Sequence, residues 1–525
     1  MLHSQSRKDC KKSYRAIMLT ASAFITTMLM SCNLGNTASE EMANERFNLL
    51  NDSAQAAQSC LEEIIAGLHD TINTDKMVCD YYRDGGTWMW VTSDTMSLQA
   101  ADFVSNYLQK KALEMGFSPQ AFFVDSIKHQ LAHIHNLDFD STGTSVPQVM
   151  ATLELATSKA YLRYAIGQRY GFTEPHRLLN HRERRSGGGY RIVYDIATEQ
   201  PDSTFIRAAW ENGGNNAPTE FLETCETSHP VYAKLKTMLP SDSTDEGRKR
   251  ILCNMERLRW RHVNAISDGE RHVFVNIPSQ QLWAIDTDST FSMRICCGAW
   301  ATKTPLLDSK IRLIQLNPEW NIPGTILRSE VSPHAGDSAY FARHRYFIIN
   351  RSTGDTVAAK NVTTAQLRSG AYRVAQHKGR GNSLGRIIFR FNNQFDVYLH
   401  DTNSPSAFNR DRRTISHGCV RVQRPFDLAM FMLPDADPWL LDRMRMNIDM
   451  APQTQKGKNY KRQHANDPDP IAGIKMNSTS VNPTVPLIID YYTLYPNPET
   501  GQMETWPDRY EYDLKIADAI KPFLP

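Results

Sequence analysis

The chain has little excess charge of either sign and no apolar run of secure membrane-spanning length, and each shortage removes a class of function. Its 525 residues carry 59 Lys and Arg against 57 Asp and Glu, a formal net charge of +2. Five basic residues (Arg7, Lys8, Lys11, Lys12, Arg15) and one acid (Asp9) precede residue 32. Without that segment the balance falls by four, to about −2, which gives no basis for a nucleic-acid partner. The apolar stretch Ala16 to Met30 has too few residues to span a bilayer reliably. With 41% hydrophobic and 22% charged residues, the chain still lies far from the disordered class and is long enough for two or three packed domains.

That short apolar stretch follows a basic start and ends in Leu29-Met30-Ser31-Cys32, so residues 1–31 read as a secretory signal. The last four residues resemble a bacterial lipobox. The resemblance implies cleavage before Cys32, acylation of its sulfur and new amine, and attachment to a membrane by lipid alone. An ordinary signal peptide is the alternative, and either way the protein is exported. Asn33 is not the aspartate that retains some lipoproteins at the inner membrane, which points to a periplasmic site on the outer one. Nine cysteines are present, and setting aside Cys10 and Cys32 leaves Cys60, Cys79, Cys225, Cys253, Cys296, Cys297 and Cys419. An odd set fits one free thiol and up to three disulfides, with connectivity left open.

Hydrophobic spacing divides the remainder. Residues 32–84 read as a leader and first helix, with Leu61, Ile64, Ile65 and Leu68 at helical spacing. From 85 to 265 the pattern is helical: Phe103, Val104, Tyr107 and Leu108 share a stripe, Gly116 is a stop, and Ser118-Pro119 opens another helix. From 268 to 450 short alternating runs (Val273, Val275, Ile277; Phe291, Met293, Ile295) predict a mostly β domain, open sheet or sandwich, with a helix at Pro425 to Leu433. Residues 451–483 read as an exposed loop, and 484–525 as a C-terminal segment that completes the helical part. The fold class is α+β.

The most telling feature is His400, a polar spacer, then Ser416-His417-Gly418-Cys419-Val420-Arg421. A cysteine is a good nucleophile only as its thiolate, and a nearby imidazole is the usual base. His400 ends an expected strand in which Phe395, Val397 and Leu399 alternate with Asp396, Tyr398 and His400, so the loop Asp401 to Ile415 can fold back on it. This stretch resembles the L,D-transpeptidases of bacterial cell-wall synthesis, whose YkuD-type domain carries a histidine, about fifteen residues, then Ser/Thr-His-Gly-Cys. The likeness extends to Val275-Asn276-Ile277-Pro278, Lys303-Thr304-Pro305, Asn317 to Pro323, Asn382 to Arg386 and Tyr398 to Thr402. The helical half, down to Asn254-Met255-Glu256-Arg257-Leu258-Arg259-Trp260, resembles the scaffold domain of the larger members. The small glycan-binding module often found there is missing between Tyr232 and Asn254.

The resemblance implies that Cys419 attacks a stem tetrapeptide, with His400 as base and no cofactor. It implies peptidoglycan stem peptides as donor and acceptor, and 3-to-3 cross-links as product. Carboxypeptidase action, protein anchoring, and an inactive lipid-anchored wall-binding scaffold are the alternatives. Ser416, His417 and Gly418 are read as loop and oxyanion support. Arg421, Tyr398 and Asp401 are read as substrate contacts, with Asp401 also a candidate third member beside His400. A metal site at His400, His417 and Cys419 lacks a fourth ligand at a telling spacing, so no metal is expected.

Overall fold

The computed structural model describes residues 36–69, 72–92, 95–139, 145–180, 191–213, 218–242 and 244–525. The signal segment and Cys32 lie outside them. The chain divides into two compact units, one of residues up to Ile166 with 201–226 and 523–525, the other of 167–200 and 227–522. No helix among the described residues is long and apolar enough to cross a membrane.

The first unit is helical. Its helices include Asn36–Gly67, Asn73–Arg83, Thr95–Glu114 and Val124–Asn136, and it takes most of Val146–Tyr170. The Thr95–Glu114 helix stops before Gly116, whose positive φ of 72° suits glycine, as the sequence suggests. Ser118-Pro119 opens only a 3-10 turn, because Phe123 at φ 54° breaks the helical path before the next helix starts. Phe103 leaves its expected stripe and is 57% exposed, while Val104 and Leu108 are buried. Two buried acids tie the unit together. Glu154 accepts from the amides of Met89, Trp90 and Val91 at 2.7, 2.9 and 3.0 Å, so one carboxylate fixes an otherwise irregular segment. Asp75 forms a forked ion pair with Arg163 on the Val146–Tyr170 helix.

The second unit is built on one sheet. Its strands are β1 (Tyr194–Asp195), β2 (His272–Asn276), β3 (Gln281–Ile285), β4 (Thr290–Gly298), β5 (Leu306–Leu316), β10 (Ile387–Phe391), β11 (Leu399–His400), β12 (Thr414–Ser416), β13 (Val420–Val422) and β14 (Ser478–Asp490). The hydrogen-bonded order runs β5-β10-β11-β13-β4-β3-β2-β14, and β14 pairs again with β5. Eight strands therefore close into a ring, so the expectation of an open sheet or sandwich is corrected. Closure follows from β14, which is thirteen residues long and reaches both neighbours through a register shift between Ser480 and Val485. Inserted between β5 and β10 is a lobe with its own four-stranded sheet: β6 (Trp320–Asn321), β7 (Tyr346–Asn350), β8 (Thr356–Val357) and β9 (Tyr372–Gln376). Its core joins Ile322, Val331, Phe341, Ile348, Leu367 and Val374.

Three domain expectations are corrected by these pairings. Residues 451–483 are not an exposed loop: they hold the helix Gln455–Gln463, and β14 begins at Ser478. Residues 484–525 chiefly complete the β unit rather than the helical one, since β14 lies between β2 and β5, and only 523–525 group with the first unit. The helix Asp245–Arg259, which lies beyond residue 239, also groups with the β unit. There Asn254 receives the Thr493 amide at 3.1 Å and Arg257 pairs with Asp513 at 2.6 Å, which binds the helix to the C-terminal segment. Hydrophobic periodicity identifies a helix but not the core it serves. Ile489 is fully buried in β14. Ile489→Ala is expected to destabilise the β unit by about 2–5 kcal/mol, measured by urea denaturation. A change under about 0.5 kcal/mol, the size of an ordinary surface substitution, would contradict the closing role of this strand.

Candidate active site

The strands β11 and β13 pair in parallel, with Leu399 opposite Val420 and His400 opposite Arg421. Paired residues in such a ladder face the same side, and residues two apart on one strand share a side. Cys419, the residue before β13, therefore lies on the side of the sheet that His400 and Arg421 share. Electrostatics agree, because the Arg421 guanidinium acts on both His400 and Cys419. The expected long strand before His400 is reduced to β11, since Asp396 takes a positive φ of 54° and turns the chain. That turn brings the Asp396 carbonyl to 3.9 Å from Cys419 Sγ.

His400 is 4% exposed. Burial, with a smaller contribution from Arg421, pushes its pKa down to about 4, against the carbonyls of Asp401 and Leu384, which favour the charged ring. Neither carbonyl meets hydrogen-bond geometry at Nδ1, which makes no hydrogen bond. The ring is neutral at pH 7. Burial likewise raises the Cys419 thiol, opposed by the Tyr398 backbone, Arg421 and Arg390. Burial thus favours the uncharged form of both groups.

The turn carrying Cys419 is held from within and from below. Ser416 Oγ donates to the Cys419 carbonyl at 2.5 Å and accepts from the Gly418 amide at 3.2 Å. Gly418 adopts φ 115°, a conformation that favours glycine, and its carbonyl accepts from Thr304 Oγ1 at 2.8 Å. The Ser416 carbonyl accepts from the Ala299 amide at 2.8 Å and from Thr302 Oγ1 at 2.9 Å. The Lys303-Thr304-Pro305 segment of the sequence is accordingly a support for the cysteine turn. Lys303 is itself buried, its Nζ over Trp300 at 4.0 Å and Tyr512 at 5.1 Å.

Several assigned roles change. The Gly418 amide is engaged by Ser416 and does not point freely to an oxyanion. The Asp401 carboxylate is turned to the backbone rather than to His400: it accepts from the amides of Arg386 and Thr402 at 2.8 and 2.7 Å and so shapes the turn after β11. His417 is exposed and its Nε2 lies 2.6 Å from Glu330 Oε1, on the inserted lobe. Tyr398 is partly buried beneath Arg390, whose guanidinium is 4.4 Å from its ring centre. Arg421 is partly buried, with no hydrogen bond at Nε. None of the seven described cysteines forms a disulfide.

A depression of about 620 Å3 lined by Arg312, Arg390, Asn393, Asp396 and Tyr398, among others, adjoins Cys419 through the Asp396 carbonyl, while Cys419 and His400 themselves do not line it. Arg312 and Arg390 escape the sequence reading. They sit on β5 and β10, more than 25 residues before Cys419, and only strand pairing brings β5 and β10 together. Glu330 escapes it as well, as a single acid 87 positions before His417. Among the described residues no group of three or more His, Cys, Asp or Glu could hold a metal ion.

Comparison with known proteins adds a family to this geometry. Residues 270–439 match the model of the YkuD L,D-transpeptidase catalytic domain, and residues 76–239 match the scaffold domain model. A Haemophilus influenzae protein named "Putative L,D-transpeptidase" is 27% identical over 339 residues, which covers 62% of this chain and 63% of that protein. The chain spans less than two thirds of this relative's length. The chain therefore carries a YkuD L,D-transpeptidase catalytic domain over residues 270–439, preceded by a scaffold domain over residues 76–239.

Proposed function

We propose that the protein is a cysteine acyltransferase that forms 3-to-3 cross-links between peptidoglycan stem peptides. His400 removes the proton from Cys419, whose sulfur attacks the carbonyl of the third residue of a tetrapeptide stem, meso-diaminopimelate. Collapse of the tetrahedral intermediate breaks the bond to the terminal D-alanine, whose amine takes the proton from His400, and leaves a thioester. The side-chain amine of a second stem attacks the thioester, gives its proton back through His400 and restores the thiol.

The observation that carries this reading is a neutral, buried imidazole on the same side of adjacent strands as a partly buried cysteine next to an open depression. Two guanidiniums on that depression, Arg312 and Arg390, suit the carboxylates of a stem peptide. The membrane and compartment belong to the same proposal: Cys32 carries the lipid, and the protein works in the bacterial periplasm from the outer membrane.

Purified protein incubated with disaccharide tetrapeptides should release D-alanine and form cross-linked dimers, read by mass spectrometry. Cys419→Ala should abolish both, and His400→Ala should slow acylation by about 100- to 10,000-fold. Product formation by Cys419→Ala would sink the thioester route, and tripeptide without dimer would assign water as acceptor.

The pH dependence has a definite sign. Since the base must be neutral, kcat/KM for acylation should rise with pH on an acid limb near 4, the folded pKa of His400. Stability shifts in the same direction. Between about 4 and the ordinary histidine value of 6.5 the unfolded chain binds a proton at this ring that the folded chain does not. The stabilisation is complete above 6.5 and is lost as pH falls toward 4. His400→Gln should flatten this window in urea-melt series, and an unchanged slope would refute the burial of a neutral ring.

A further inference from the structure

A second cavity, of about 740 Å3, lies where β2, β3 and β14 meet residues 227–229 and 257–269. None of its lining residues belongs to β10, β11 or β13, so it is distinct from the depression beside Cys419. Its volume is that of a small-molecule site.

One wall is aromatic. Tyr492 and Tyr495 stack at 4.5 Å with an interplanar angle of 27°, and Phe274 lies 5.7 Å from the Tyr495 ring centre. Trp260 adds a further lining ring. The other lining groups are polar. His262 Nε2 is 3.7 Å from Asp490 Oδ2, and Glu199 meets Arg169 at 3.1 Å. Arg257, 4% exposed, is neutralised by Asp513, while its Nη2 makes no hydrogen bond.

The charged lining residues are Arg257 and Arg261 against Glu199, Asp268 and Asp490, close to balance. That disfavours a multiply charged ligand. Flat rings for an apolar face, together with donors and acceptors of both kinds, suit a neutral ring bearing hydroxyl and amide groups. We propose that this cavity is a glycan-binding subsite that takes N-acetylhexosamine units of a sugar chain. The pyranose C–H face stacks on Tyr495, and Asp490 and His262 take hydroxyl groups. The choice of sugar rests on the transpeptidase reading; the cavity and its chemistry do not.

The test uses the full chain and a tetramer of β-1,4-linked N-acetylglucosamine, with calorimetric titration and hydrogen–deuterium exchange. Saturable binding is expected, with protection confined to 257–274 and 488–498. Tyr495→Ala should bind about tenfold more weakly at an unchanged melting temperature and still acylate Cys419 with free tetrapeptide. If Tyr495→Ala melts early, the protection map of the unsubstituted protein decides. No saturable binding, protection at 390–421 instead, or equal affinity in a well-folded Tyr495→Ala would overturn the proposal. Tetramer binding without acylation by tetrapeptide would defeat the enzymatic reading and leave this site standing.

Discussion

The parallel register of β11 against β13 is the constraint on which the rest of the site depends. It sets His400 opposite Arg421, and with that pairing the sulfur, the imidazole and a guanidinium share one side of the sheet. A slip by one residue would turn Cys419 to the opposite face, because side chains alternate along a strand. Both strands are short, three residues at most, so their own hydrogen bonds cannot hold that register. Neighbours hold it: β10 pairs with β11, β4 pairs with β13 and β12, and Arg413 donates to the carbonyls of Ile295 and Gln280 at 2.9 and 3.0 Å.

Carboxylates take little part in orienting His400. The groups that act on its ring are the Arg421 guanidinium and two main-chain carbonyls, and the nearest acid in sequence, Asp401, is occupied by two amides. A carboxylate would draw the imidazole toward its charged form, whereas burial without one keeps it neutral. The same logic applies to Cys419, whose thiol is raised by burial and opposed by Arg421 and Arg390. Burial therefore acts on both groups in the same sense, toward the uncharged form.

Much of this was legible in the sequence. The His400 and Cys419 spacing, the short strands after 268 and the helix near Pro425 all rest on local pattern, and β2, β3, β4 and the helix Pro425–Phe431 follow it. What was not legible depends on pairing between distant segments. The helix Gln455–Gln463 hides in a polar stretch because it is largely exposed and has no apolar stripe to betray it. Nothing local announces that β14 belongs between β2 and β5, nor that Glu330 meets His417. Asp401 misleads for a related reason: proximity to a functional histidine in sequence says nothing about which way a turn directs its carboxylate.

The ring closed by β14 also dictates an order of events. Residues 270–439 contain every strand of the ring except β14, which begins 39 positions later. A chain that has emerged only as far as residue 439 holds two unpaired edges, on β2 and along β5, and such edges invite pairing with other chains. Folding of the β unit is therefore completed only when residues 478–490 arrive, and a fragment trimmed to the catalytic match alone would carry sticky borders that the closed ring never shows.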